Sequence, residues 1–235
     1  MSLPEASTNR LPTRDICVAA RRSYLRIGWC YLCPKCGKWH ANLAGGYWLT
    51  ADGVAATCFH VVEPARDLKE GCLVAVDEAG KVLPVVELLA ANRESDAAIV
   101  RIAGSGFTPL ALNTNVYPGD AAYCYSDPLD NRDYFSAGIV NRFYRPAGSR
   151  SPGTRASAAI GPMRLNVSTD WAPGSSGSAV LDECGNVIGH VANISTPRDE
   201  TPARTAEAKV PKPAPIVFHE AVTARDVLRL IRTPR

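Results

Sequence analysis

At 235 residues the chain is long enough for one large domain or two small packed halves. Its apolar content of 46% and charged content of 21% are ordinary for a globular protein, and no apolar run reaches the ~18 residues that span a bilayer. A net charge of +3 is too small to argue for nucleic acid or an anionic surface as partner.

The chain opens with MSLPEASTNRLPTRD, which has neither a basic n-region nor an apolar h-region and is not a secretory signal. A cytoplasmic protein and an exported mature form both stay open, and residues 1–20 are expected to be a flexible segment. Beyond them lie short strand candidates separated by turn residues. GGYWLTADGVAATCFHVV holds two apolar runs around Ala51-Asp52-Gly53, a hairpin signal, and CLVAVDEAGKVLPVVELLAAN repeats the design around Glu78-Ala79-Gly80. SDAAIVRI, AAYCYS, YFSAGIVNRFY, MRLNVSTD, GSAVLD and NVIGHVANI continue the series. So many short strands with Gly and Pro turns argue for barrels or a sandwich. Arg142, Arg145, Arg150 and Arg155 sit among Gly, Ser and Pro and read as a solvated loop. Residues 196–214 are rich in Pro, Ala and charge and read as an excursion, after which PIVF returns as a strand. One good helix is expected, at the end: Thr223 and Asp226 form a capping-box-like start, and Ala224, Val227, Leu228 and Ile231 follow at helical spacing.

WCYLCPKCGKWH sets Cys30, Cys33, Cys36 and His40 at the spacing C-x2-C-x2-C-x3-H. Zinc takes four tetrahedral N or S ligands, the number this stretch offers, so a structural zinc is one reading. Disulfides among Cys30, Cys33, Cys36, Cys17 and Cys58 are a second, and free thiols a third. Either the metal or the disulfides would brace a barrel and take no part in catalysis. Cys72, Cys124 and Cys184 read as small buried hydrophobes.

WAPGSSGSAVLDECGNVIGHV raises a different chemistry. A serine nucleophile requires a histidine base, a group to orient that base, and backbone N–H donors for the oxyanion. A glycine two before Ser176 frees the backbone to turn its N–H inward, so the amides of Gly174 and Ser176 are the candidate donors. Of the four histidines, His60 alone closes an apolar strand upstream of a suitable acid, Asp96, which opens another. The order His60, Asp96, Ser176 differs from that of subtilisin and of the α/β-hydrolases, and Ser178 breaks the G-x-S-x-G elbow.

TCFHVVE, SDAAIVRI and APGSSGSAVLDECGNVIGHV resemble the three catalytic blocks of trypsin-like serine peptidases, in particular the bacterial high-temperature-requirement proteases, and Gly45-Gly46 fits as well. The resemblance spans roughly residues 23–233. It implies an all-β fold of two packed six-stranded antiparallel β-barrels with a C-terminal helix. The N-terminal barrel would cover 21–112, the C-terminal barrel 113–220 and the helix 221–235. It further implies that His60 is the base, Asp96 its orienter and Ser176 the nucleophile, with protein or peptide as substrate and no cofactor for catalysis. Digestive members carry an aspartate just before the nucleophile to pair with a newly cut N-terminus; Ser175 stands there, which argues against that activation. No PDZ-length segment follows. Asp170, six residues before Ser176, either matches trypsin's basic-specificity aspartate or merely ends a strand. Val191 and Ile194 are expected to wall the primary pocket. The reading is a serine endopeptidase acting through an acyl-enzyme; the alternatives are an inactive protease-like module that binds peptides and a zinc-braced interaction protein.

Overall fold

The computed structural model describes residues 2–65, 68–145, 162–195 and 217–232. The 196–214 excursion thus lies wholly outside the described residues, as do Arg150 and Arg155.

Among the described residues, alternating apolar residues broken by turn residues form twelve strands in two closed antiparallel barrels. The first barrel holds β1 (Tyr24–Leu32), β2 (Trp39–Trp48), β3 (Val54–Thr57), β4 (Gly71–Val76), β5 (Val82–Asn92) and β6 (Ala97–Ile102). They join in the order β1-β2-β3-β6-β5-β4, and β4 closes on β1. The second holds β7 (Ala121–Ser126), β8 (Tyr134–Tyr144), β9 (Arg164–Val167), β10 (Ala179–Leu181), β11 (Val187–Ser195) and β12 (Phe218–Thr223). Its order is β10-β11-β12-β9-β8-β7, closed by β7 on β10. Closure leaves neither sheet a free edge. Both expected hairpins form, β2 with β3 and β4 with β5.

Leu25, Ile27, Trp48, Val100 and Ile102 fill the first barrel, and Ala122, Val140, Leu165, Val180 and Ile188 the second. A third cluster, including Tyr47, Leu49, Ile99, Leu181, Val187 and Val222, joins them. Helix α3 (Ala224–Arg232) contributes Val227 to it and packs on β5 and β6 of one barrel and β11 and β12 of the other. The Asp226 amide donates to Thr223 Oγ1 at 3.3 Å, the expected cap.

Two further helices correct the expectation of a single one. Residues 13–20, expected to be flexible, belong to α1 (Thr13–Ser23), which buries Ile16 and Ala20 in the joint cluster. The stretch before it is tied down as well: the Ser7 amide donates to Asn186 Oδ1 at 2.8 Å, and the Leu11 amide to the Glu183 carbonyl at 2.9 Å. The short α2 (Phe59–Val62) carries His60, which therefore follows the strand β3 and does not close it.

Candidate active site

Cys58 caps α2 in extended conformation and turns the chain so that His60 stands half exposed at the barrel surface. Asp96 sits just before β6 in the left-handed region, φ 57°, a conformation that aspartate tolerates better than most residues. There its carboxylate faces His60: Nδ1 lies 2.9 Å from Oδ2 and 3.0 Å from Oδ1, and the His60 amide donates to Oδ1 at 3.1 Å. An ionised carboxylate only accepts, so the ring proton resides on Nδ1 and Nε2 keeps a free lone pair. Burial pushes the Asp96 carboxyl up, but the hydrogen bonds from the His60 ring and amide outweigh it and hold the group below its ordinary value.

The turn at 172–178 separates its serines by environment. Ser175 is buried and donates to Ser126 Oγ at 3.0 Å; Ser178 is buried too, its Oγ without a hydrogen-bond partner among the described residues. Ser176 alone is partly exposed. Gly174 at φ 100° sets the turn, and a Cβ there would stand 2.9 Å from the Asp127 carbonyl. The amides of Ser175, Gly177 and Ser178 donate to Ala172, Val191 and Ser175 carbonyls. Those of Gly174 and Ser176 donate to no acceptor among the described residues. The Ser176 carbonyl accepts from the Gly45 amide at 2.7 Å, which ties this turn to the first barrel. A side chain at Gly45 would strike Ser178, with a Cβ only 2.8 Å from its backbone nitrogen.

Three groups around the pair were not singled out for the site from the sequence. His190 is fully buried behind Asp96, its Nε2 donating to the Asp96 carbonyl at 3.3 Å. Burial lowers its pKa to about 4 against the pull of Asp96, so it stays neutral. Cys58, also buried, donates its thiol to the Val191 carbonyl at 3.0 Å, and burial together with the Asp96 charge pushes that thiol well above its ordinary value. The sulfur, His60 and Asp96 lie close enough to hold a cation, but a protonated, engaged thiol behind a bonded pair makes backing for that pair, not a ligand set. Arg164 on β9 donates to the carbonyls of Ser95 at 2.7 Å and Glu94 at 3.3 Å, crossing between barrels.

His60 and Ser176 both line two cavities, one to each side. The first, ≈ 680 Å³, is bounded by Asp96, Arg164, Trp171, Val191, Ile194 and Glu220 among others. Val191 and Ile194, expected to wall the primary pocket, both line this cavity. Asp170 does not: it is exposed beyond the end of β9, and its carbonyl accepts from Ser136 Oγ, while Glu220 brings a second carboxylate to the cavity beside Asp96. The second cavity, ≈ 830 Å³, reaches from Gly174 and Ser176 to Trp29, Tyr31 and the Cys33–Lys35 tip of the β1–β2 hairpin.

At that tip the expected four-ligand cluster divides. Cys33, Cys36 and His40 place their ligand atoms within 4.8 Å of one another, but Cys30 is not in the group. Cross-strand partners share a face, and Tyr31 pairs with His40, their rings stacked at 5.9 Å. Cys30, the next residue along β1, points to the opposite face and stands across from Cys72. All eight cysteines are free thiols; Cys124 is buried as expected, whereas Cys72 is exposed and Cys184 only partly covered.

The fold has a known counterpart. The chain is similar to a serine endoprotease from Yersinia pestis, with a TM-score of 0.64 at 15% sequence identity; the match covers 94% of this chain and 66% of that one. Among curated protein sequences there is no match. A family profile, described as the trypsin-like peptidase domain, matches residues 45–189, the stretch that holds His60, Asp96 and Ser176. The chain is a member of the trypsin-like peptidase family, with the chymotrypsin-type double barrel.

Proposed function

We propose that the protein is a serine endopeptidase that cleaves peptide bonds through an acyl-enzyme. The observation that carries this reading is the shared cleft: a His60 ring oriented by Asp96 through Nδ1, and the one exposed serine of the 172–178 turn on the same cavity wall. His60 Nε2 takes the Ser176 proton as Oγ attacks the carbonyl carbon. The free amides of Gly174 and Ser176 receive the oxyanion, where each such donor contributes ~10²–10³ in turnover. His60 then passes its proton to the departing amine, and water, activated by the same nitrogen, releases the acyl group. The two cavities flanking the pair supply room for polypeptide on both sides of the scissile bond, which favours cleavage within a chain.

A second reading, a module that binds peptide without turnover, draws on one observation: among the described residues no hydrogen bond joins His60 to Ser176. Catalytic hydrogen bonds often tighten only around substrate, so this distance weighs little against the rest. Labelling with a fluorophosphonate probe separates the readings. A single adduct mapped to Ser176, absent in Ser176→Ala and His60→Ala, is expected, with peptide hydrolysis in either variant reduced by at least about 10⁴-fold. An unlabelled but folded protein that still binds peptide would establish the second reading.

A further inference from the structure

The tip of the β1–β2 hairpin carries more chemistry than a cleft wall requires. Cys33 and Cys36 lie at either end of a Pro34-Lys35 dipeptide, and the turn is closed by the Gly37 amide donating to the Cys33 carbonyl and the Cys33 amide to the Lys38 carbonyl, both at 2.9 Å. Gly37 has φ 66° and open space where a Cβ would stand, so glycine serves the backbone conformation there. The turn directs the backbone amides of Cys36 and Lys35 onto the Cys33 sulfur. Cys36 Sγ lies 3.1 Å from His40 Nε2. Around a tetrahedral zinc, with Zn–S ≈ 2.3 Å and Zn–N ≈ 2.0 Å, such atoms stand roughly 3.5 Å apart, so an ion needs them to separate by a few tenths of an ångström.

We infer that Cys33, Cys36 and His40 form a binding site for a zinc-class cation with three protein ligands. Cys30 is excluded by strand alternation, and no fourth histidine, cysteine or carboxylate among the described residues completes the group. The fourth position therefore belongs to water or to a group brought from outside. Two thiolates and an imidazole suit zinc over magnesium or calcium, which take oxygen ligands. Binding releases the protons of both thiols, leaving a site of zero net charge beside Lys35 and Lys38. Because Cys33, Pro34 and Lys35 line the same cavity as His60 and Ser176, the ion would fix one wall of the cleft.

The test uses the full chain, reduced and freed of metal, titrated first with Zn²⁺ and then with Co²⁺. One equivalent of either is expected, and the cobalt form should show tetrahedral d–d bands with the charge-transfer intensity of two thiolates. Cys30→Ser should leave binding and spectrum unchanged, while Cys33→Ser weakens binding at least about 100-fold with circular dichroism intact. His40→Cys should retain the ion and add a third thiolate's intensity, which guards against a variant that simply misfolds. No uptake by the reduced, folded chain overturns the site. Equal loss in Cys30→Ser and Cys33→Ser overturns the three-ligand assignment.

Discussion

His190 is a base that the fold keeps uncharged. Burial, its largest influence, brings its pKa from 6.5 to about 4. Between those values the unfolded chain binds a proton that the folded chain refuses, so stability falls as pH drops through that window and is fully present above it. The difference is roughly 3 kcal/mol at its full extent. Asp96 acts later: its lowered pKa gives stability that is lost only below the ordinary carboxylate range. Urea midpoints at pH 7 and 4.5 should therefore fall less in His190→Gln than in the unaltered protein; equal falls would place the acid sensitivity elsewhere. That His60, Asp96 and Ser176 would come together was legible in the sequence from residue type and chain order, although His60, expected to close a strand, stands on α2. His190, Cys58 and Glu220 were not, because barrel curvature and register decide what faces the cleft. Of the two readings of Asp170, the strand end is the one the structure matches, whereas Glu220 reaches the cavity from β12, far along the chain.

Element by element, the hairpins were readable from their turn residues, and α1 was overlooked although its signals are present. Pro12 precedes it, Asp15 lies in its first turn, and Arg21 and Arg22 lie in its last, each on the side the helix dipole favours. Eleven residues are too few to hold a helix in isolation, so its existence depends on the face it buries. Ile16, with no exposure, is the anchor of that face. Ile16→Ala is expected to cost about 2–5 kcal/mol, read as a lower denaturation midpoint with an unchanged slope. A change below about 0.5 kcal/mol would mean that α1 is not docked in solution. The cysteine cluster shows the opposite error: four ligands were counted along the sequence, but β1 is pleated, and pleating sends Cys30 away from the other three.

At the scale of the whole molecule, the candidate site exists only where two barrels meet. His60 and Asp96 come from the first and Ser176 from the second, joined by the Gly45 amide on the Ser176 carbonyl, by His190 and by Arg164. Alternation alone argued for barrels or a sandwich; the pairing of barrels came from the family resemblance, since closure depends on contacts between distant strands. Gly45→Ala tests the junction, because its Cβ would press on Ser178 and displace the turn. A loss of about 1–3 kcal/mol in stability is expected, with fluorophosphonate labelling of Ser176 slowed at least about 100-fold. Unchanged labelling would show that the turn holds its shape without the first barrel. That shape has a further property. Ser175, at the position where digestive members of the resembled family carry an aspartate to pair with an ammonium, instead donates to the Ser126 hydroxyl at 3.0 Å. An α-ammonium surrenders its proton near pH ~8, and the turn it secures slackens in alkali. A pair of alcohols has no charge to surrender, so neither alkalinity nor brine weakens this one hydrogen bond.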